Sequence, residues 1–333
     1  MARYPATSAN YDRPQVLTTL GDSGLKASRI GLGLAALGRP GYINLGHAAD
    51  LDGHTDEASM EHAAHSVLDA AYAAGVRYFD AARSYGKAES FLGSWLEQRR
   101  LGPEQVTVGS KWGYTYTAGW RVDAPVPEVK DLSVATLRRQ LAESRSFLGA
   151  TLRLYQIHSA TVDSGVLDDA AVLDELAQQR ANGLAIGLTV TGPGQAQTIE
   201  RALEVGGFDT VQATWNLLER SAELALSEAH AAGLGVIVKE PLANGRLAAR
   251  GAIGSLGDVA LGLGTTPDAL ALAVALAQPW ATVVLSGAAT VAQLESNFGS
   301  LDCHPNPEVI EQLGALREDS VSYWQKRAAL PWN

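Results

Sequence analysis

Hydrophobic positions along this chain fall into two kinds of segment that alternate. Short runs rich in β-branched residues, typical of buried strands, are followed by longer alanine-rich runs with apolar residues at helical spacing. The predicted strands are Arg29 to Gly33, Val76 to Asp80, Val106 to Lys111, Leu152 to His158, Leu184 to Val190, Thr210 to Asn216, Leu234 to Lys239 and Thr282 to Ser286. The alternation predicts a parallel sheet whose strands are joined by crossover helices.

Glycines and capping residues mark the ends of the predicted helices. His62 to Ala74, Val134 to Leu148 and Ala222 to Ala232 each stop at a glycine, the residue typical of helix C-termini. Thr265-Thr266-Pro267-Asp268 combines a hydroxyl cap, an early proline and a first-turn acid, which predicts a helix start. Eight strand–helix units favour a closed (β/α)8 TIM barrel, a single domain over residues 1–333. An open doubly wound sheet stays the alternative.

Further segments lie outside these units. Val16 to Leu20 and Leu25 to Arg29 flank Gly-Asp-Ser-Gly, which predicts an N-terminal β-hairpin able to plug the bottom of the barrel. Gly38 to Ala58, Tyr114 to Asp131 and Asn244 to Gly264 are too long for tight connections. All three follow strands, on the face where barrel enzymes build their sites, so we expect functional or mobile loops there.

Composition narrows the class of protein further. The 333 residues are 46% hydrophobic, enough for one large core, and the net charge is −10. That charge repels nucleic acid and anionic membranes, so we expect a small-molecule partner, with the oligomeric state left open. The single cysteine, Cys303, excludes an intrachain disulfide and a thiolate metal cluster, and we expect it to be inert.

The N-terminus and the apolar runs bear on the compartment. Residues 1–14 are polar, which predicts a flexible extension rather than a signal peptide. No run of about 18 apolar residues occurs, as a membrane-spanning helix would need. We therefore expect a cytoplasmic protein.

Four residues with proton chemistry fall at or near predicted strand ends. Asp80 ends the second strand, Tyr85 follows in a short loop, Lys111 ends the third strand and His158 the fourth. Because neighbouring strands of a barrel end on one face, we expect these side chains to meet. Each alone has an ordinary explanation: a turn residue, a loop aromatic, a solvated charge and a core histidine. Four together make a site the better interpretation.

The four residue types suit one reaction. The ordinary pKa of tyrosine is about 10, too high for easy proton exchange near neutrality. We expect the Lys111 ammonium to lower the pKa of Tyr85, with Asp80 as the counter-charge that a buried lysine needs. His158 could donate a hydrogen bond to a carbonyl oxygen, where negative charge develops as hydride arrives.

No other motif competes with this arrangement. His62, His65 and Glu61 could share a helix face, but no further ligand is evident, so we predict no metal. The sequence lacks a Gly-x-x-x-x-Gly-Lys phosphate loop, and Gly31-Leu32-Gly33 lacks the third glycine of a dinucleotide fingerprint.

One segment resembles the signature of the aldo-keto reductase superfamily. It reads Gly75-Val-Arg-Tyr-Phe-Asp-Ala-Ala-Arg-Ser-Tyr-Gly86, followed by Glu89 and Leu92-Gly93, and the resemblance extends from Leu20 to about Asn297. The residues matching the family's catalytic tetrad are Asp80, Tyr85, Lys111 and His158. The resemblance implies a barrel without a Rossmann domain, with a nicotinamide cofactor extended across its mouth. It also implies hydride transfer in which Tyr85 is the general acid in reduction and the general base in oxidation.

The same resemblance implies a set of cofactor-binding residues. They are Leu34, Thr189, Gln212, Lys239, Leu242, Asn244, Arg246, Ser286, Gly287, Gln293 and Asn297. Thr189 and Gln212 match residues that hold the nicotinamide carboxamide, although Val190 replaces the usual asparagine. Lys239 stands where an aromatic ring usually stacks on the nicotinamide. The loop with Leu242, Asn244 and Arg246 matches the one that embraces the pyrophosphate.

The adenosine segment decides between two cofactors. In Ser286 to Asn297, the family's basic residues for a 2′-phosphate are replaced by Gly287, Ala289 and Gln293, and no Lys or Arg occurs from 252 to 315. A 2′-phosphate normally needs a cation, which Arg250 or Arg317 could supply. NADP(H) is the family habit and we place it slightly ahead, with NAD(H) left open.

Aromatic residues suggest where a substrate would bind. Trp112, Tyr114 and Trp120 lie at and after the third strand end, and aromatics in such a loop can line a pocket. Tyr323, Trp324 and Trp332 could close it from the other side. Together with the family resemblance, which implies hydride transfer, these residues lead us to expect an oxidoreductase acting on an aldehyde, a ketone or a sugar.

Two alternatives to that function stay open. One is a cofactor-binding regulatory subunit of the same shape with little turnover. The other is a barrel lyase or isomerase with Lys111 as a Schiff base, against which the carboxylate of Asp80 counts.

Overall fold

The computed structural model of the protein describes residues 16–333, and the predicted flexible extension, residues 1–14, lies outside them. The strands in chain order are β1 (Leu17–Thr19), β2 (Lys26–Ser28), β3 (Ile30–Gly33), β4 (Tyr78–Asp80), β5 (Thr107–Trp112), β6 (Tyr114–Tyr116), β7 (Glu128–Lys130), β8 (Leu152–Ala160), β9 (Ala185–Val190), β10 (Thr210–Thr214), β11 (Gly235–Lys239) and β12 (Val283–Ser286).

Eight of these strands close into a parallel barrel in the order β3, β4, β5, β8, β9, β10, β11, β12. The ring is completed by β12, which pairs back onto β3 with Leu285 opposite Gly31. That pairing excludes the open sheet and confirms the (β/α)8 TIM barrel. All eight predicted barrel strands are present, with ends that differ from the predicted ones by up to two residues.

Helices surround the barrel. They are α1 (His47–Leu51), α2 (Glu57–Ala73), α3 (Ala88–Arg99), α4 (Val134–Leu148), α5 (Ala170–Ala181), α6 (Gln195–Val205), α7 (Glu223–Ala231), α8 (Gly254–Gly262), α9 (Pro267–Leu276), α10 (Val291–Phe298), α11 (Pro307–Gly314) and α12 (Ser320–Ala328). The predicted start of α9 is confirmed, since the Thr266 side chain accepts a hydrogen bond from the amide of Ala269. Their apolar faces and the outward side chains of the strands form one continuous core.

The predicted N-terminal hairpin closes the bottom of the barrel. Strands β1 and β2 pair antiparallel, and Gly21 at their turn bridges to Leu234, just before β11. A second apolar cluster joins the hairpin to residues of the barrel strands and contains Leu20, Leu25, Ala27, Tyr78, Leu154, Ile237, Val283 and Leu285. The lower ends of the strands are therefore sealed by the chain itself.

The long connections contain more structure than the sequence predicts. The connection after β5 holds a second hairpin, in which β6 pairs antiparallel with β7. Helix α1 lies in the connection after β3, and α8 in the one after β11. These elements are short, and their helical or strand-like spacing spans too few residues to register as a periodic pattern.

Among the helices of residues 16–333, one bent pair of helices has the length and composition of a membrane span. No single helix there is long and apolar enough to cross a membrane. Helices α8 and α9 taken together have the length and apolar composition of a membrane span, but an 83° bend separates them.

Candidate active site

The carboxylate of Asp80 and the ammonium of Lys111 form an ion pair at the mouth of the barrel. The two residues lie at the ends of the neighbouring strands β4 and β5, and their side chains are 2% and 1% exposed. Lys111 Nζ also donates to the carbonyl oxygen of Ala81 at 3.0 Å. Each charge compensates the other, which a buried ion requires.

Three further donors converge on Asp80. Its Oδ2 atom accepts hydrogen bonds from Tyr78 Oη at 3.1 Å, Gln156 Nε2 at 3.3 Å and Gln212 Nε2 at 2.9 Å. These donors belong to β4, β8 and β10, so different sides of the barrel hold the same carboxylate. The position of Lys111 is thereby fixed as well.

Tyr85 lies next to this pair, in the connection between β4 and α3. Lys111 Nζ is 4.9 Å from the centre of the Tyr85 ring, and the guanidinium carbon of Arg39 is 5.4 Å from it. The ring of His158, from β8, meets the Tyr85 ring edge to face with centroids 5.6 Å apart. The structure thus brings together the four side chains that the sequence singles out.

Burial sets the protonation states of Tyr85 and His158. Removal from water, and then the charge of Asp80, raise the pKa of Tyr85 above its ordinary value. The expected lowering by Lys111 is wrong, because Asp80 compensates that ammonium and the phenol is shielded from water. Burial, with the nearby Lys111 and Lys239, holds the pKa of His158 well below its ordinary value. Near neutral pH the phenol is protonated and the imidazole uncharged.

These groups lie in a long cleft across the carboxyl ends of the strands. Its volume is about 620 Å³, a size typical of small-molecule sites. The cleft extends from Tyr85 and His158 past Lys239 to the connection between β12 and α10.

The connection after β3 forms one wall of the cleft. Its residues Tyr42 and Leu45 line the cavity, and the Leu45 amide donates to the carbonyl oxygen of Asn244 at 3.0 Å. Arg250 donates to the carbonyl oxygen of Gly46 at 3.0 Å. This wall is therefore attached to the connection after β11.

Arg39 joins several parts of that wall. Its guanidinium carbon is 4.6 Å from the centre of the Trp332 ring, and Nη1 is 3.1 Å from Glu128 Oε2 on β7. Arg39 also donates to the carbonyl oxygen of Ser84, beside Tyr85. The residue links the C-terminal segment, the second hairpin and the Tyr85 connection.

Three charged residues meet at the end of β11. Lys239 Nζ donates to Thr214 Oγ1 at 3.0 Å, and burial lowers its pKa to about 8. Glu240 has a φ of 53°, unusual for a residue other than glycine, and its carboxylate accepts from Arg327 Nε at 2.9 Å. Burial raises the pKa of Glu240, but Arg327 and Lys239 outweigh it and lower the pKa to about 2.

A polar chain lines the far end of the cleft. Ser286 Oγ donates to Asn297 Oδ1 at 2.8 Å, and Asn297 Nδ2 donates to Asp268 Oδ2 at 2.8 Å. Gln293 Oε1 accepts from the amide of Ala289 at 2.9 Å. The carboxylate of Asp268 lies in the first turn of α9, lines this end of the cleft and forms no ion pair with any of residues 16–333.

Most of the predicted site residues line this one cleft. They are Asp80, Tyr85, Tyr114, His158, Thr189, Gln212, Lys239, Leu242, Asn244, Ser286, Gly287, Gln293 and Asn297. The proton-active residues come from β4, β5, β8 and the connection after β4. The candidate cofactor residues in the cleft come from β9 to β12 and the segments that follow them.

Four predicted positions have side chains that lie outside the cleft lining. Leu34 is fully buried in the main core, so its side chain does not reach the cleft. Arg246 turns away to Glu318, with Nη2 2.5 Å from Oε1. Trp112 is fully buried against the helices, on the opposite face of β5 from Lys111. Trp120 donates from Nε1 to the carbonyl oxygen of Thr55 at 2.7 Å, outside the cleft.

Several cleft residues are missed by the sequence analysis. Arg39, Glu240, Asp268 and Arg327 line the cavity, as does Tyr42 of the long connection after β3. The signal for Glu240 is a second charge directly after an apolar strand. Arg327 has no comparable signal, because it reaches the cleft from the last helix through contacts distant in sequence.

One histidine of α2, His65, has protein partners. His65 Nε2 lies 3.0 Å from the carbonyl oxygen of Phe91 and 3.1 Å from Ser94 Oγ, and that hydroxyl donates to Glu61. Within residues 16–333, no group of three His, Cys, Asp or Glu side chains is placed to hold a metal ion.

Comparison with known proteins agrees with this geometry. The model of the Aldo/keto reductase family matches residues 29–318. The chain belongs to the aldo/keto reductase family. A protein named "Uncharacterized oxidoreductase YrpG" from Bacillus subtilis is 26% identical over 337 residues, which cover 90% of this reductase and 95% of that protein.

Two other similar proteins broaden the comparison. The NADH-specific methylglyoxal reductase of Escherichia coli is 29% identical over 238 residues, 68% of each chain. The solved structure of aldo-keto reductase AKR11C1 from Bacillus halodurans, in its holo form, has a TM-score of 0.71 at 23% identity, covering 92% of this chain and 99% of that one. That likeness shows the shared fold.

This aldo/keto reductase is an oxidoreductase of the kind that uses a nicotinamide cofactor, and its cleft fits one. The cavity is elongated, and the buried Asn244 Oδ1 in its lining has no hydrogen-bond partner among residues 16–333. Thr189 Oγ1 accepts from the amide of Ser159 at 2.7 Å, which leaves its own hydrogen to be donated. Both atoms suit the amide and hydroxyl groups of such a cofactor.

Proposed function

We propose that this aldo/keto reductase transfers a hydride between a nicotinamide cofactor and the carbonyl or alcohol carbon of an aldehyde, a ketone or a sugar. The observation that carries the proposal is the meeting of Tyr85, His158 and the Asp80–Lys111 pair in one cleft. These are a proton donor, a neutral hydrogen-bond donor and a buried charge pair around one point.

Tyr85 is proposed as the general acid in reduction. When bound, the cofactor supplies the hydride that bonds to the carbonyl carbon. The carbon–oxygen π electrons then move onto oxygen, which takes the phenolic proton of Tyr85. The Lys111 ammonium, 4.9 Å from the ring centre, stabilises the tyrosinate left behind. In oxidation the same tyrosinate accepts the alcohol proton.

His158 is proposed to hold the carbonyl oxygen. Its Nδ1 lies 3.4 Å from Ser84 Oγ, and a hydrogen bond accepted there places the ring proton on Nε2. Because the low pKa keeps the ring neutral, Nε2–H donates a hydrogen bond without giving up its proton. His158 then orients the substrate while Tyr85 moves the proton.

The cofactor is proposed to be NAD(H) in preference to NADP(H). Asp268 places a carboxylate beside Gln293 and Asn297, and Arg250 in the cleft lining is already paired with Asp50. A 2′-phosphate would meet repulsion there instead of a free cation. The name of the Escherichia coli relative, an NADH-specific reductase, agrees in direction. The sequence alone places NADP(H) slightly ahead because most of the family uses it, and this proposal places NAD(H) first instead.

A titration of the protein with NADH and NADPH, followed by fluorescence, tests the proposal. We expect the dissociation constant for NADH to be lower than that for NADPH. We also expect the bound NADH to be oxidised when small aldehydes, ketones or sugars are added. Failure of both cofactors to bind would overturn the proposed function. Binding without turnover across the carbonyl panel would instead support the cofactor-binding regulatory subunit.

A further inference from the structure

Lys239 is a cation of the cleft lining that forms no ion pair with any of residues 16–333. Its Nζ donates to Thr214 Oγ1 at 3.0 Å and lies 5.9 Å from the centre of the Trp324 ring. The residue ends β11, and its charge acts on His158 across the barrel mouth. An ammonium therefore stands in the part of the cleft where the hydride must be exchanged.

Neighbouring charges do not cancel this ammonium. The carboxylate of Glu240 is held by Arg327 through both of its oxygens. The carboxylate of Asp80 is paired with Lys111. The pairs Glu240–Arg327 and Asp80–Lys111 each bring one positive and one negative charge, so Lys239 adds a net positive charge to this group of five described residues.

We propose that the Lys239 ammonium makes the cofactor site prefer the reduced nicotinamide to the oxidised one. This inference rests on the proposed function, because it requires the nicotinamide to lie at the hydride-exchanging end of the cleft. The oxidised ring carries a positive charge and the reduced ring carries none. A cation beside the ring therefore disfavours the oxidised form alone.

The size of the effect follows from the distance over which such charges act. A like charge within about 4–6 Å typically changes the balance between charged and neutral forms by a factor of ten or more. Both forms of the cofactor carry the same phosphates, so the ratio of their dissociation constants isolates the ring charge. In a mixed pool the site fills preferentially with the reduced form, which favours reduction over oxidation.

The preference depends on the protonation of Lys239. Its pKa of about 8 predicts a charged amine at pH 6.5 and a neutral one at pH 9.5. The facing groups are Glu240 and Arg327, Asp80 and Lys111, and His158. Arg327 keeps its charge over this interval because its pKa is raised, and Glu240 because its pKa is about 2. His158 is uncharged throughout.

Calorimetric titration with NADH and NAD⁺ at both pH values tests the inference. The quantity compared is the dissociation constant for NAD⁺ divided by that for NADH. At pH 6.5 we expect this ratio to be about tenfold larger, or more, in the wild-type protein than in Lys239→Met. At pH 9.5 the wild-type ratio should fall toward that of Lys239→Met. Lys239→Arg keeps the charge, so its ratio should stay high at both pH values.

A matched control removes a lysine charge elsewhere. Lys87 pairs with Glu57 on the outside of the barrel and does not line the cleft, so Lys87→Met should leave the ratio unchanged. Equal ratios for the wild-type protein and Lys239→Met, with both cofactors binding, would overturn the inference alone. Absence of binding by either form would overturn the proposed function instead.

Discussion

Gln212 on β10 donates a hydrogen bond to the carboxylate of Asp80 on β4 across the mouth of the barrel, at 2.9 Å and over a separation of 132 residues. The same Oδ2 atom accepts from Tyr78 and Gln156. Asp80 is therefore the common acceptor of three strands. Its charge positions Lys111 on one side and the polar layer of the barrel on the other.

Removal of the Asp80 charge should destabilise the fold strongly. Asp80→Asn leaves the buried Lys111 ammonium without its counter-charge, and breaking such a pair costs about 3–5 kcal/mol of unfolding free energy. The double variant Asp80→Asn/Lys111→Met removes both charges and should recover much of that loss. Urea unfolding of four proteins, the wild type, Asp80→Asn, Lys111→Met and the double variant, measures the coupling. Additive losses in the double variant would show that the two side chains stabilise the barrel independently.

Loss of the Tyr85 hydroxyl should stop the reaction without weakening cofactor binding. Tyr85→Phe removes the proposed general acid, a contribution of roughly 10²–10⁴ in turnover. The dissociation constant for NADH should change little, because Phe fills the same space. Tyr72→Phe is the control, since Tyr72 packs against Arg77 and Trp95 outside the cleft. Surviving turnover in Tyr85→Phe would move the proton chemistry to another residue.

Stability toward acid should depend on Glu240. Arg327 and Lys239 lower its pKa to about 2 in the folded protein, below the ordinary value of 4.5. The stabilisation is therefore present above about pH 4.5 and is lost as the pH falls through about 2. The unfolding free energy of Glu240→Gln should fall less steeply than that of the wild-type protein over this interval. Parallel acid profiles would show that the Arg327 contact contributes no pH dependence.

A cation at the far end of the cleft should change the cofactor preference. Gln293→Arg places a guanidinium beside the polar chain from Ser286 to Asp268, where it can pair with a 2′-phosphate. We expect the affinity for NADPH relative to NADH to rise about tenfold. Gln312→Arg makes the same charge change on the exposed face of α11 and should leave the ratio as it is. An unchanged ratio in Gln293→Arg would place the adenosine elsewhere.

The interior of the barrel should not tolerate a methyl group at Gly109. A Cβ atom there would lie 2.5 Å from Tyr78 Oη, the group that donates to Asp80. Overpacking of this kind costs about 1–3 kcal/mol of unfolding free energy. Gly254→Ala is the matched control, because nothing lies within 4 Å of its Cβ position. Thermal melting compares the two, and an unaltered melting temperature for Gly109→Ala would mean that Tyr78 can move aside.

The barrel fold and the meeting of Asp80, Tyr85, Lys111 and His158 can be predicted from the sequence because they depend on local patterns. Strand alternation also fixes the direction of Trp112: if Lys111 points into the barrel mouth, then Trp112 must face the helices. The partner of Arg246 follows from no local pattern, since Glu318 lies 72 residues away. The same holds for Arg327, whose distance from Glu240 is 87 residues. Pairings of this kind depend on how α12 packs on the barrel.

The origin of the cleft residues divides the barrel into two parts. The proposed proton-moving groups come from the strands up to β8, and the cleft-lining candidates for cofactor binding come from β9 onward. Hydrogen bonds that join the parts near the site include Ser159 to Thr189, Gln212 to Asp80 and, in the cleft wall, Leu45 to Asn244. Exchange of half-barrels between family members at the β8–β9 crossover would therefore combine the substrate chemistry of one enzyme with the redox partner of another, provided that the bonds between the two parts are matched.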